Sequence, residues 1–151
     1  MARRFPLQPL VEHTQDQADK AAKRLAMLKV AWQAADDKLQ QLFSFREEYR
    51  HRFHLAAQQG MAAAVIADYQ AFLRKLDGAI AQQQQEIANC TVNWEAGRRE
   101  WLETQHKLKA YQTLERRHAH GELQRELRLE QREQDEYAGK SHARQDDEEN
   151  F

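Results

Sequence analysis

The chain has 151 residues, enough for one domain, but only 41% of them are hydrophobic and mean hydropathy is -0.97. That composition suits a thin coiled coil with two wet sides better than a globular core. Lys and Arg number 23 against 24 Asp and Glu, so long-range attraction to nucleic acid or to a membrane surface has little support.

The N-terminus, MARRFPLQPL, has two arginines but no hydrophobic run of a signal peptide. No apolar stretch reaches the length of a bilayer span. The lone Cys90 allows no internal disulfide and fits a reducing compartment, so the sequence reads as cytosolic. Both prolines, Pro6 and Pro9, precede the first long periodic segment. Proline is tolerated in a first helical turn and breaks a helix interior, so helix one is expected from about 9 to 58. Its seam is Val11, Thr14, Ala18, Ala21, Leu25, Leu28, Trp32, Ala35, Leu39, Leu42, Arg46, Tyr49, Phe53. The spacing alternates three and four, the mark of a helix lying along another helix.

Gly60 supplies the convincing break between two periodic segments, with a turn expected at about 59–61. The second seam carries Ile66, Leu73, Ile80, Ile87, Trp94, Trp101 and Leu108 at every seventh residue, with no polar member. The offset series, Tyr69, Leu76, Gln83, Cys90, Gly97, Thr104 and Tyr111, is mixed. Helix two is expected over about 62–138. Gly78, Gly97 and Gly121 inside it each cost about 1 kcal/mol relative to alanine and weaken the helix without ending it.

Two seams joined by one short turn predict an all-α fold: a long two-helix antiparallel coiled-coil hairpin, one unit over 1–151, with the second helix extended. Facing residue numbers then add to roughly 119 for straight helices. This sets Trp101 against Ala18, Trp94 against Leu25 and Ile87 against Trp32. A parallel homodimer of long helices is the alternative; the glycine turn and the pairing of large with small residues favour the hairpin. Beyond Tyr111–Leu114, helix two runs out of intramolecular partner, and a lone helix is marginal in water. The stretch 139–151 is polar and acidic and reads as a disordered tail.

No phosphate loop and no Cys/His metal spacing occur. His118 and His120 are two apart and point to different sides of a helix, while His51 and His54 could share a face but lack further ligands nearby. Cys90 falls on the seam as a small buried hydrophobe. Nothing points to catalysis or to a cofactor, and the expectation is a non-enzymatic protein. The run from Arg116 to Arg132 is interleaved with Glu115, Glu122, Glu126 and Glu130, read either as a solvated helix with i,i+4 pairs or as a contact surface for a protein ring. One flank of the hairpin carries Phe45 on helix one and Val65, Phe72 and Ala79 on helix two. Two helices do not need phenylalanines there to close their seam, so the patch reads either as a thickening of that seam or, as a large apolar patch on a thin coiled coil, as a binding surface.

Four blocks in order, RRFPLQPL, YQAFLRKLDGAIAQQQ (Tyr69–Gln84), LKAYQTLERR (Leu108–Arg117) and EQREQDEYA (Glu130–Ala138), resemble the flagellar export protein FliJ family over about Arg3 to Ala138. The resemblance implies a component of the flagellar type III secretion apparatus, a cytoplasmic protein peripheral to the inner membrane through its partners. It implies a stalk-like coiled coil whose terminal end engages the central hole of the hexameric export ATPase (FliI). It further implies binding to the cytoplasmic domain of the export gate protein FlhA, and handling of export chaperones. The gate-binding positions that match are Leu42, Phe45, Tyr49, Phe72, Leu76 and Ala79, with Lys38 and Gln83 at two further positions of that surface. The ATPase-facing stretch is then expected to be the N-terminal turn with the helix from about Leu108 to Leu129, including Leu108, Tyr111, Leu114, Arg116, Arg117, Leu123 and Leu127. The rival reading is a passive coiled-coil spacer without ATPase coupling.

Overall fold

The structure is a computed structural model that describes residues 2–150. It is all-α: α1 spans Gln8–Gln58 and α2 spans Ala63–Glu149, and no strand occurs among the described residues. The two helices pack on each other as an antiparallel hairpin. Leu7 opens α1, its carbonyl accepting from the N–H groups of Leu10 and Val11 at 3.0 and 3.1 Å. Pro9 sits in that first turn, where a missing N–H leaves no bond unmade. At the other end, Gln59 and Gly60 close onto the carbonyls of Ala56 and Ala57 at 3.2 Å. Gly60 has φ of 87°, the left-handed conformation that ends a helix and that glycine adopts without steric cost. Ala62 then starts α2 by accepting from Val65 and Ile66.

The sequence placed the end of α2 near 138 and a disordered tail beyond it. Instead α2 continues to Glu149. After Gly139 the chain has no proline, and Ala, Arg, Gln and Glu favour helix continuation. No packing assists it, because every residue from 127 to 149 is exposed.

The chain divides into two compact units where the sequence suggested one. The first comprises residues 1–18 and 104–151, with Val11, Thr14, Ala18 and Leu108 buried. The second comprises residues 19–103. Its core is Leu39, Leu76 and Ile80, backed by Leu42, Phe43 and Ile87, with Ala21 and Ala35 also buried. Each large aliphatic side chain so buried contributes about 1.5–3 kcal/mol.

Within the second unit the pairing follows the expected register. Tyr49 meets Tyr69, Phe45 meets Phe72, and Gln83 reaches the backbone of Ala35. Trp32 was expected beside Ile87. Its indole Nε1 donates to Thr91 Oγ1 at 3.1 Å, one turn further on, and that hydroxyl donates to the Ile87 carbonyl at 2.9 Å. Gly97 lies on the seam and is buried. A Cβ built on it would stand 2.5 Å from Leu28 Cδ1, so α2 comes too close to Leu28 there for any side chain unless Leu28 moves.

Candidate interaction surfaces

The expected gate-binding residues gather on one flank of the second unit. Residues four apart on α1 and three apart on α2 stack along each helix, which builds a chain of rings. Tyr49 is its hub. Its ring centroid lies 4.4 Å from Phe72, 5.1 Å from Tyr69 and 6.3 Å from Phe45. Phe45 meets Phe72 edge-on at 6.0 Å, and Phe53 meets Tyr69 at 5.4 Å. These are favourable distances for aromatic pairs. Phe45 and Phe72 remain 44% and 37% exposed, and Leu42, Tyr49 and Ala79 are half-buried.

Leu76, at 7% exposure, lies within the core cluster and supports the patch from beneath. Phe53 and Tyr69 complete the ring chain. Both were legible as seam residues, but periodicity gave no sign that they extend the surface cluster.

A groove adjoins this patch, lined in part by Ala34, Lys38, Leu42, Ala79, Gln82 and Glu86. Lys38 therefore borders the same surface as Leu42 and Ala79. Gln83 also lines this groove, but its side chain turns inward. It is only 7% exposed, and its Nε2 donates to the Ala35 carbonyl inside the seam at 2.8 Å.

Elsewhere the second unit holds different chemistry. Arg46 lies over the Phe43 ring at 5.1 Å and pairs with Asp77 at 3.4 Å. Further along, Trp32, Trp94, Thr91 and Lys29 line an apolar notch of about 300 Å³, with Arg98 over the Trp94 ring at 5.8 Å.

In the first unit the expected ATPase-facing residues separate by exposure. Leu108 is buried and Tyr111 half-buried, so both serve the packing of the helices. Leu114, Arg116, Arg117, Leu123 and Leu127 are exposed. The non-helical N-terminal segment packs against α2 in this region. The Arg3 N–H donates to Glu122 Oε2 at 3.2 Å, and the Arg3 carbonyl accepts from His118 Nε2 at 2.8 Å. A carbonyl only accepts, so His118 carries a proton on Nε2. The Phe5 and His118 rings lie 5.4 Å apart. Arg125 pairs with Glu122 at 3.3 Å from the other side. The Arg3 N–H, followed by the nearby positive charges, holds the Glu122 carboxyl below the usual carboxylate range against the opposing effect of desolvation.

His120 faces Gln124 and His54 faces Gln58. Among the described residues no group of three or more His, Cys, Asp or Glu could hold a metal ion. No helix of the described residues is long and apolar enough to cross a membrane.

The profile of a family described as "Flagellar FliJ protein" matches residues 3–147. Two curated relatives bearing that same description, from Salmonella typhi and from Escherichia coli (strain K12), are each 29% identical over 138 residues. Those alignments cover 91% of this chain and 94% of each relative. The solved structure of a putative YscO homolog from Chlamydia trachomatis aligns at 19% identity over 93% of this chain and 95% of its own, with a TM-score of 0.43.

Proposed function

The chain belongs to the flagellar FliJ protein family, and from that premise we propose that it is a flagellar type III export component joining two partners. One partner is the hexameric export ATPase, engaged by the exposed stretch of α2 that contains Leu114, Arg116, Arg117, Leu123 and Leu127. The other is the cytoplasmic domain of the export gate, engaged by the patch of Phe45, Tyr49 and Phe72 with Leu42, Leu76 and Ala79. Through these partners the protein works at the cytoplasmic face of the inner membrane. It also escorts export chaperones.

One observation carries the reading. Phe45 and Phe72 pack edge-on against each other yet keep over a third of their surface in water. The hairpin's seam closes without them, on Leu39, Leu76 and Ile80. Exposed aromatics clustered around a central ring make an efficient binding anchor, since a few such residues carry most of an interface's energy.

The test is Phe45→Ala combined with Phe72→Ala, assayed for gate binding and for ATPase stimulation at a temperature where the variant is folded. Weakened gate binding with stimulation largely intact is expected. Unchanged gate affinity in a folded variant would reduce the patch to packing. A wild-type chain that binds the ATPase without changing its turnover would make the protein a passive spacer.

A further inference from the structure

Burial on α2 stops abruptly. Glu122, Arg125 and Glu126 are half-buried, and every residue from 127 to 149 is exposed. The last covered turns coincide with the N-terminal segment, not with α1, which begins only at Gln8 and buries its first residue at Val11. Non-helical chain reaches about twice as far per residue as helix, so a few residues can cover a full turn or more of α2.

The grip is specific. One residue, Arg3, offers both backbone groups, and two side chains one helical turn apart, His118 and Glu122, take one each. Phe5 adds a ring contact to His118. All of these bonds are open to solvent, which places the segment among the parts of a fold that open at low cost.

We propose that residues 2–7 form a clasp that pre-orders α2 between 115 and 126 for the protein partner engaged by this end of the molecule. The identity of that partner rests on the functional reading above; the ordering does not. An unsupported helical segment frays, and a partner that binds it must first order it, which lowers affinity. With the clasp seated, Leu123 is presented on a helix already formed. Leu127, one turn further on, begins the uncovered part.

The experiment is hydrogen exchange on the full chain, comparing wild type with His118→Ala, His118→Gln and a deletion of residues 2–5. His118→Ala should speed exchange at 115–126 about fivefold, the worth of one net hydrogen bond. The deletion should speed it further, with 63–103 unchanged. His118→Gln keeps a donor of similar reach and should restore protection. The half-maximal concentration for ATPase stimulation should rise by a similar factor, with the plateau unchanged.

Unchanged exchange at 115–126 in the deletion variant overturns the clasp. Faster exchange with unaltered half-maximal stimulation overturns its role in partner binding. A lower half-maximal concentration overturns it in the opposite sense, making the segment a mask. A wild-type chain that fails to stimulate the ATPase sinks the functional reading, and the exchange result still decides the clasp.

Discussion

Gln83 Nε2 donates to the carbonyl of Ala35 at 2.8 Å, a buried polar bond inside a largely apolar seam. Buried polar residues at seam positions fix register at some cost in stability. Ala35 lies within α1, so its carbonyl also has an intrahelical partner available. Gln83→Ala therefore loses a bond and leaves a small void, and should cost about 1–2 kcal/mol in urea unfolding. Gln83→Leu should be at least as stable as wild type, because an apolar side chain of similar size replaces a desolvated amide. A leucine variant that melts well below wild type would show that the bond contributes more than register.

Gly97 and Leu28 form a tight contact whose strength a double-mutant cycle can isolate. Alanine in a helix interior is better than glycine by about 1 kcal/mol. At position 97 that gain meets Leu28 Cδ1. Gly97→Ala should therefore stabilise by about 1 kcal/mol in a Leu28→Ala background and lose that gain in the presence of Leu28. Equal effects in both backgrounds would mean that Leu28 swings aside freely.

The aromatic patch should respond unevenly to truncation. Tyr49 touches three rings and Phe45 two, at longer range. Phe45→Ala should cost about 1 kcal/mol and Tyr49→Ala about 2–4 kcal/mol of stability. Thermal or urea unfolding of the two single variants checks the order. Phe45 emerging as the costlier loss would move the centre of the patch.

Acid should loosen the clasp. The depressed Glu122 pKa comes first from the Arg3 N–H, then from the charges of Arg125, His118 and Arg3. A carboxylate with a folded pKa below its unfolded value stabilises fully above the unfolded value, and that stabilisation fades as pH falls through the folded one. His118 donates from Nε2 whether neutral or charged, so its bond to Arg3 persists in acid. The Arg3 amide resonance should thus shift as pH falls through and below the ordinary carboxylate range, and Glu122→Gln should abolish the shift. Titration of that amide at or above neutral pH would point to a different group.

Removing everything after Tyr111 should leave residues 19–103 folded while abolishing ATPase stimulation. Circular dichroism and turnover assays on the truncated chain decide this. Full stimulation by the truncation would relocate the ATPase contact.

Much of the architecture was legible in the sequence because it is periodic. The alternation of three and four marks which helix face meets its partner, and Gly60 marks where the chain reverses. Together they set the register that brings Phe45 to Phe72. Periodicity reports a face and not a distance. It could not say that Gln83 turns inward to Ala35, or that α2 approaches Leu28 closely enough to require Gly97. Nor could it show how the N-terminal segment is held, because a few non-helical residues have no repeat to read. That segment is held by Glu122 and His118, 119 and 115 residues away, through the backbone N–H and carbonyl of Arg3. Every residue but proline carries the same main-chain groups, so a bond of that kind leaves no trace in the sequence. It exists only once the folded helices set Arg3 beside His118 and Glu122.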